Sequence, residues 1–174
     1  MIVNYSIFWS EGSMHHFFPA KAEDIVRIHE IEALCFPEAE AASLQSFKQR
    51  FAAFPECFFV FKVDGKIVGH INGCIYDKPE LPDELYSDAS LHCPEGKYQT
   101  IFGLAVDPSY QRRGYASLLT RHFIEVSQSR GHLGMVLTCK QYLVDFYQQQ
   151  GFEFQGISAS NHGGVSWNDM LLRF

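Results

Sequence analysis

The stretch Leu104-Ala105-Val106-Asp107-Pro108-Ser109-Tyr110-Gln111-Arg112-Arg113-Gly114-Tyr115-Ala116-Ser117 constrains the fold more than any other part of the sequence. Its first residues close an apolar run from Thr100 to Val106 that reads as a buried strand. Asp107-Pro108 ends that run, and after Gly114 the apolar residues Leu118, Leu119, Phe123 and Val126 recur at helical spacing from Tyr115 to about Ser129. A strand therefore enters a turn and leaves as a helix. The free N–H groups and positive dipole end of such a helix form an anion site. Gly114 and Ala116 keep the backbone bare there, and Arg112 and Arg113 add charge-assisted donors for phosphate oxygens. A pyrophosphate fits this turn. The plainer alternative, a sharp loop with two solvated arginines, is weighed down by the strand-turn-helix context. No Gly-Lys-Ser/Thr follows, so the turn is not a P-loop, and G-x-G-x-x-G is absent, so it is not a dinucleotide fingerprint.

The rest of the chain supplies a mixed sheet around this unit. His15 to Phe18 reads as a first strand and Ala22 to Leu34 as a helix with Ile25, Ile28 and Leu34 inward, stopped by Pro37. Ser43 caps a second helix that buries Leu44, Phe47 and Phe51 before Pro55. Cys57 to Val63 and Lys66 to Ile75 are strands joined across Asp64-Gly65, a strong hairpin signal. Asp77 to Tyr98, with Pro79, Pro82 and Pro94, reads as a long loop of the kind that covers a site. Leu133 to Cys139 is a further strand, Tyr142 to Gln150 a short helix, and Phe152 to Phe154 and Val165 to Phe174 are paired strands around Asn161-His162-Gly163-Gly164. The expected fold class is mixed α/β, with one mostly antiparallel sheet of about six or seven strands and about four helices. Residues 15–174 are expected to form the domain, with 1–14 as an N-terminal extension.

Composition narrows the partners. The 174 residues carry 14 basic and 20 acidic side chains, a net charge of −6, so no basic surface for nucleic acid is expected. Residues 1–87 hold 7 basic and 13 acidic groups and residues 88–174 hold 7 of each, so the acidic excess lies in the first half and suits a cationic ligand. Apolar runs such as Cys57 to Phe61 reach about five residues, well short of the roughly 18 of a membrane span. With no secretory signal pattern either, no membrane partner and a cytoplasmic location are expected. Five scattered cysteines without a CxxC spacing argue for reduced thiols and against a disulfide framework or zinc site. No metal is expected.

The segment Gln111-Arg112-Arg113-Gly114-Tyr115-Ala116 resembles the Q/R-x-x-G-x-G/A signature of the GNAT superfamily of acetyl-CoA-dependent N-acetyltransferases, with alanine at its last position. Within it the chain is most similar to the arylalkylamine (serotonin-type) enzymes, through His29-Glu30-Ile31-Glu32 with Cys35-Phe36, Asp64 to Val68, His92 to Gly96, Leu104-Ala105-Val106, Leu137-Thr138-Cys139 and Phe146-Tyr147-Gln148-Gln149-Gln150-Gly151-Phe152. The resemblance implies a GNAT-like fold and acetyl-CoA as co-substrate. It implies that the backbone of Leu104, Ala105 and Val106 pairs with the pantetheine arm, and that Gln111, Arg112, Arg113, Gly114, Tyr115, Ala116 and Ser117 form the pyrophosphate turn.

It also implies Tyr147 as the general acid for the departing thiolate, whose conjugate acid has a pKa near 8.5 against about 10 for a phenol. The alternative is a core tyrosine with a satisfied hydroxyl. Vertebrate-type relatives carry a histidine pair on the strand before Leu-Ala-Val; Thr100 and Phe102 stand there and neither accepts a proton at neutral pH. A carboxylate acting through water is the expected base. Glu38 is the named candidate, because insect-type relatives place a catalytic glutamate in this loop, and Phe36 and Pro37 would wall an aromatic amine. His70 is a second candidate base. Cys139 ends a strand beside the presumed thioester, but no His or Asp at a recognisable spacing activates it, which favours direct transfer. The expected acceptor is the primary amine of a small molecule, an arylalkylamine or polyamine, with a protein or peptide N-terminus or a non-catalytic acyl-CoA sensor as alternatives. The expected assembly is a monomer or homodimer.

Overall fold

The computed structural model describes residues 7–10 and 13–174. Strands β1 (Ile7–Ser10) and β2 (Ser13–Pro19) form an antiparallel hairpin, so residues read from the sequence as an extension add an edge strand to the sheet. A 3-10 turn leads into α1 (Ile25–Cys35), and Ser43 caps α2 (Leu44–Ala53) by accepting the Ser46 N–H at 3.1 Å. β3 (Phe58–Val63) and β4 (Lys66–Asn72) pair across Asp64-Gly65, whose φ values of 49° and 78° suit a tight hairpin turn. β5 (Ile75–Tyr76) follows, and the segment expected as loop contains one turn of α-helix, α3 (Glu84–Ser87), and a 3-10 turn at Ala89–Leu91. Then come β6 (Tyr98–Ile101), β7 (Gly103–Val106), α4 (Tyr115–Ser129), β8 (Gly134–Cys139), α5 (Val144–Gln149), β9 (Glu153–Ile157) and β10 (Asn168–Arg173).

These strands form two five-stranded sheets, in the orders β1-β2-β3-β4-β7 and β5-β6-β8-β10-β9, rather than one sheet of six or seven. Among the described residues all strand pairings are antiparallel except β6 with β8. The mixed α/β class holds; besides β1, the added strands come from two breaks that an unbroken apolar run conceals. Lys66 to Ile75 is interrupted at Gly73, where a Cβ would collide with the Thr100 carbonyl. Thr100 to Val106 is interrupted at Phe102, where the chain leaves one sheet and joins the other: β6 pairs with β5 and β8, β7 with β4.

β3 is apolar throughout because both its faces are covered. Phe59 and Phe61 pack with Leu119 and Phe123 of α4, while Phe58 and Val60 pack with Ile25, Ile28 and Phe47 of α1 and α2. The helices thus lie on opposite faces, with α4 leading away from the turn that follows β7. Among the described residues no helix is long and apolar enough to cross a membrane.

Candidate active site

The break at Phe102 makes the site. β7 is the last strand of its sheet, and β8 is paired by β6 only over Gly134 to Leu137, so Thr138 and Cys139 diverge from β7. A cleft opens there, lined by Leu104 and Gly103 of β7, Leu137, Thr138 and Cys139 of β8, and Tyr147 of α5. An outer strand edge offers backbone donors and acceptors for an added extended ligand.

Beyond β7 the turn prepares for an anion. Asp107 accepts the Ser109 N–H at 2.9 Å and the Arg27 guanidinium at 2.6 Å, which hold its carboxyl below the usual carboxylate range and fix the start of the turn. Arg112 (φ 61°) and Gly114 (φ 81°) are left-handed, Gly114 offers no side-chain cap to α4, and nothing lies within 4 Å of where its Cβ would be. The first turn of α4 is left with backbone N–H groups aimed at open space. Arg112 and Arg113 are exposed beside it. Gln111, expected at the pyrophosphate, donates its amide to the Val106 carbonyl at 2.9 Å and so ties the turn to β7. Tyr115 packs its ring against Phe61 in the core, which leaves only its backbone for a ligand, and Ser117 accepts a hydrogen bond from Gln150 at 3.2 Å. These features fit the phosphates and extended arm of a CoA thioester.

The other end of the cleft is aromatic and charged. Phe36, Phe102, Tyr86, His162 and Trp167 line it with Glu32, Glu40 and Arg50. Tyr86 stacks on His162 with ring centroids 5.0 Å apart, and the loop expected to cover a site therefore does form a wall. Glu40 pairs with Lys140 at 2.7 Å. Glu32 has no such cation: its Oε2 is buried, lacks a hydrogen-bond partner, and lies 3.4 Å from Nε2 of the fully buried His70. The Asn72 amide lies 3.3 Å from Nδ1 of the same ring, so that the Nε2 proton points at Glu32.

Glu38 and Pro37 are exposed and do not line the cleft. The Pro37 carbonyl accepts the N–H groups of Glu40 and Ala41, each at 2.9 Å, and this turn carries Glu40 inward instead of Glu38. Of the two residues expected to wall the acceptor, Phe36 lines the cleft. His70 reaches it only through Glu32. Thr100 is occupied by Cys74, whose N–H it accepts at 2.9 Å, and Phe102 supplies wall. Sequence reading missed Glu32 and Arg50, though both interrupt apolar stripes: Glu32 follows Ile25 and Ile28 at i+7 and i+4, and Arg50 falls between Phe47 and Phe54.

Tyr147 lines the cleft, 6% exposed, and no partner for its hydroxyl occurs among the described residues. Burial raises its pKa above the ordinary phenol value, with Cys139 and Tyr86 adding to the shift. Burial pushes the Cys139 thiol up to about 11. Away from the cleft, Glu56, Cys57 and His92 cluster: His92 Nδ1 accepts the Ile75 N–H, its Nε2 lies 3.2 Å from the Glu56 carboxylate, and burial pushes the Cys57 thiol up to about 12.

The sequence model of the acetyltransferase (GNAT) family matches residues 25–152, most of the chain and the whole of the cleft's cofactor side. The chain belongs to the GNAT acetyltransferase family. Among its GNAT relatives, serotonin N-acetyltransferase of Mesocricetus auratus is 26% identical over 152 residues, 85% of this chain and 72% of the relative. The loading GNATL domain of CurA from Lyngbya majuscula shares the fold at a TM-score of 0.79 and 17% identity, covering 91% of this chain and 97% of that one. The ribosomal-protein-S18-alanine N-acetyltransferase of Escherichia coli shares it at 0.67 and 20%, covering 92% and 94%. The GNAT chain described here is an acetyl-CoA-dependent N-acetyltransferase.

Proposed function

We propose that the protein moves acetyl from acetyl-CoA to the primary amine of a small aromatic molecule by direct transfer. The observation that carries this reading is the aromatic chamber of Phe36, Phe102, Tyr86, His162 and Trp167, which shares its cleft with Tyr147 and the free edge of β7. An extended peptide calls for an open groove, whereas here α3 and the segment before β10 wall the acceptor end.

In this reading the backbone of Leu104 to Val106 aligns the thioester arm, and the first turn of α4 with Arg112 and Arg113 holds the pyrophosphate. An alkylammonium, with a pKa near 10, must lose a proton before it can attack. Glu32 accepts that proton, through water, and the His70 N–H stabilises the carboxylate it starts from. The freed nitrogen attacks the thioester carbonyl, the N–C bond forms, and the C–S bond breaks with its electron pair on sulfur. The attacking nitrogen gives up its second proton, and sulfur gains one, so one alkylammonium and one thioester yield one amide, one thiol and one proton. Tyr147 keeps its proton at neutral pH. Because a phenol raised above 10 is a weaker acid than a thiol near 8.5, its main contribution is a hydrogen bond to the developing thiolate. Cys139, with its thiol raised to about 11, is not an acyl carrier. The cytoplasm, where acetyl-CoA and free amines meet, is the proposed location, and residues 15–174 with the β1 strand are proposed as one catalytic domain.

The test is CoA release from acetyl-CoA with tryptamine, phenethylamine, spermidine and short peptides. Turnover on the aromatic amines is the expected result. Turnover on peptides alone transfers the reading to protein acetylation, and tight acetyl-CoA binding without turnover on any amine replaces it with a sensor.

A further inference from the structure

Arg50 is used by neither the cofactor turn nor the proton transfer just described. It occupies the buried stripe of α2 and is only 6% exposed. Its Nη2 donates to the Tyr86 carbonyl at 2.8 Å, and its guanidinium carbon lies 4.9 Å from the Phe102 ring centroid and 5.8 Å from that of Phe47. Its Nε is buried without a hydrogen-bond partner, and no carboxylate among the described residues forms an ion pair with it. A guanidinium has five donors in a fixed fork, and the protein satisfies one of them. Burial lowers its pKa, and the Glu32 charge in the same cleft opposes that shift without forming an ion pair with it.

Its surroundings indicate what the fork is for. Arg50 lines the acceptor end, against Phe102 and Tyr86, and Glu32 lines the same cleft with its Oε2 unpartnered. A desolvated chamber that holds a guanidinium with unused donors, a carboxylate oxygen without a hydrogen-bond partner and aromatic walls is complementary to an aromatic zwitterion. A polyamine meets the opposite situation, because Arg50 repels its second ammonium.

Resting on the acetyltransferase reading above, we propose that the acceptor carries a carboxylate beside its amine: an aromatic α-amino acid, with Arg50 taking the carboxylate, Glu32 the amino group, and Phe102 and Tyr86 the ring. Arg50 then acts as the specificity-determining residue, selecting the amino acid over the amine that lacks its carboxylate.

The experiment measures kcat/KM of the full chain with acetyl-CoA and L-phenylalanine, L-tryptophan, L-phenylalaninamide, phenethylamine, tryptamine or spermidine. A charge-assisted hydrogen bond made only by the carboxylate predicts that L-phenylalanine exceeds phenethylamine by about 10- to 100-fold, with the amide between them. Arg50→Gln keeps a donor for the Tyr86 carbonyl and is expected to bring that ratio to within about threefold of one, a change that a purely structural role would not produce. Phenethylamine equal to or better than L-phenylalanine overturns the proposal and leaves the acetyltransferase reading standing. A wild-type preference that persists unchanged in Arg50→Gln also overturns it, as does a switch to succinyl-CoA with phenethylamine, which places the carboxylate on the acyl group. If Arg50→Gln does not fold, the wild-type ratio alone decides. Absence of turnover on every amine defeats the underlying reading and this proposal together.

Discussion

His122 of α4 faces the sheet, stacked on Phe17 with ring centroids 4.5 Å apart and edge-on to Phe59 at 5.2 Å, and it is 8% exposed. Burial alone lowers its pKa from 6.5 to about 4. The folded protein therefore binds a proton there less readily than the unfolded chain, and stability falls as pH drops through the unfolded value. The effect is absent above about pH 7.5, begins near 6.5 and is complete below about 4. Two and a half units at 1.36 kcal/mol per unit give a full loss of about 3 kcal/mol, of which about 2 kcal/mol is reached by pH 5. For a chain of this size that corresponds to a fall of roughly 4–8 °C in Tm. The assay is urea unfolding at pH 7.5 and 5.0 for wild type and His122→Phe, which keeps the ring and removes the titration. Other groups contribute to both proteins alike, including His132, whose pKa burial also lowers, so the difference of differences isolates His122. The variant is expected to lose about 2 kcal/mol less than wild type between the two pH values. Parallel losses would refute the reasoning.

Glu32→Gln is expected to lower kcat at pH 7 by about 100-fold and to recover as pH approaches the amine's own pKa near 10; a uniform loss at every pH would show that Glu32 does not handle the proton. Tyr147→Phe is expected to reduce kcat by about 10- to 100-fold with little change in KM for acetyl-CoA, measured by thiol release, and an unchanged kcat removes the tyrosine from the reaction. Gly114→Ala meets no neighbour but forces a side chain into a left-handed backbone at a cost of about 1 kcal/mol, so Tm is expected to fall by roughly 2–4 °C and KM for acetyl-CoA to rise several-fold. Incubation with acetyl-CoA in the absence of amine is expected to leave Cys139 unacetylated by peptide mass spectrometry; a stoichiometric thioester there would replace direct transfer by an acyl-enzyme.

Much of this architecture is readable before any coordinates. Asp64-Gly65 demands positive φ at both residues and receives it, Ser43 caps the helix it precedes, and Gly114 opens the helix whose first turn is left bare. The breaks at Gly73 and Phe102 are not readable, because they depend on which strand lies alongside. An apolar run looks the same whether it stays in one sheet or crosses to another. The carboxylate at the site was displaced for a related reason. Glu38 and Glu32 are equally acidic in sequence, and only the turn at Pro37 and the face of α1 that packs on β4 and β7 decide which of them meets the cleft. Glu32 and Arg50 carried a signal nonetheless, since a charged residue in phase with buried apolar neighbours needs a partner, and none is visible nearby in sequence.

The crossing at Phe102 also divides labour along the chain. Backbone direction, not side chains, sets the gap between β7 and β8, so the grip on the acyl donor depends little on the residues that face the acceptor. Apart from Phe102, those residues come from α1 and the turn after it, α2, the α3 segment and the stretch before β10, pieces that can be exchanged while the strands stay fixed. Libraries confined to Phe36, Arg50, Tyr86 and Trp167 should therefore retune which amine is acetylated while the protein continues to bind acetyl-CoA as before.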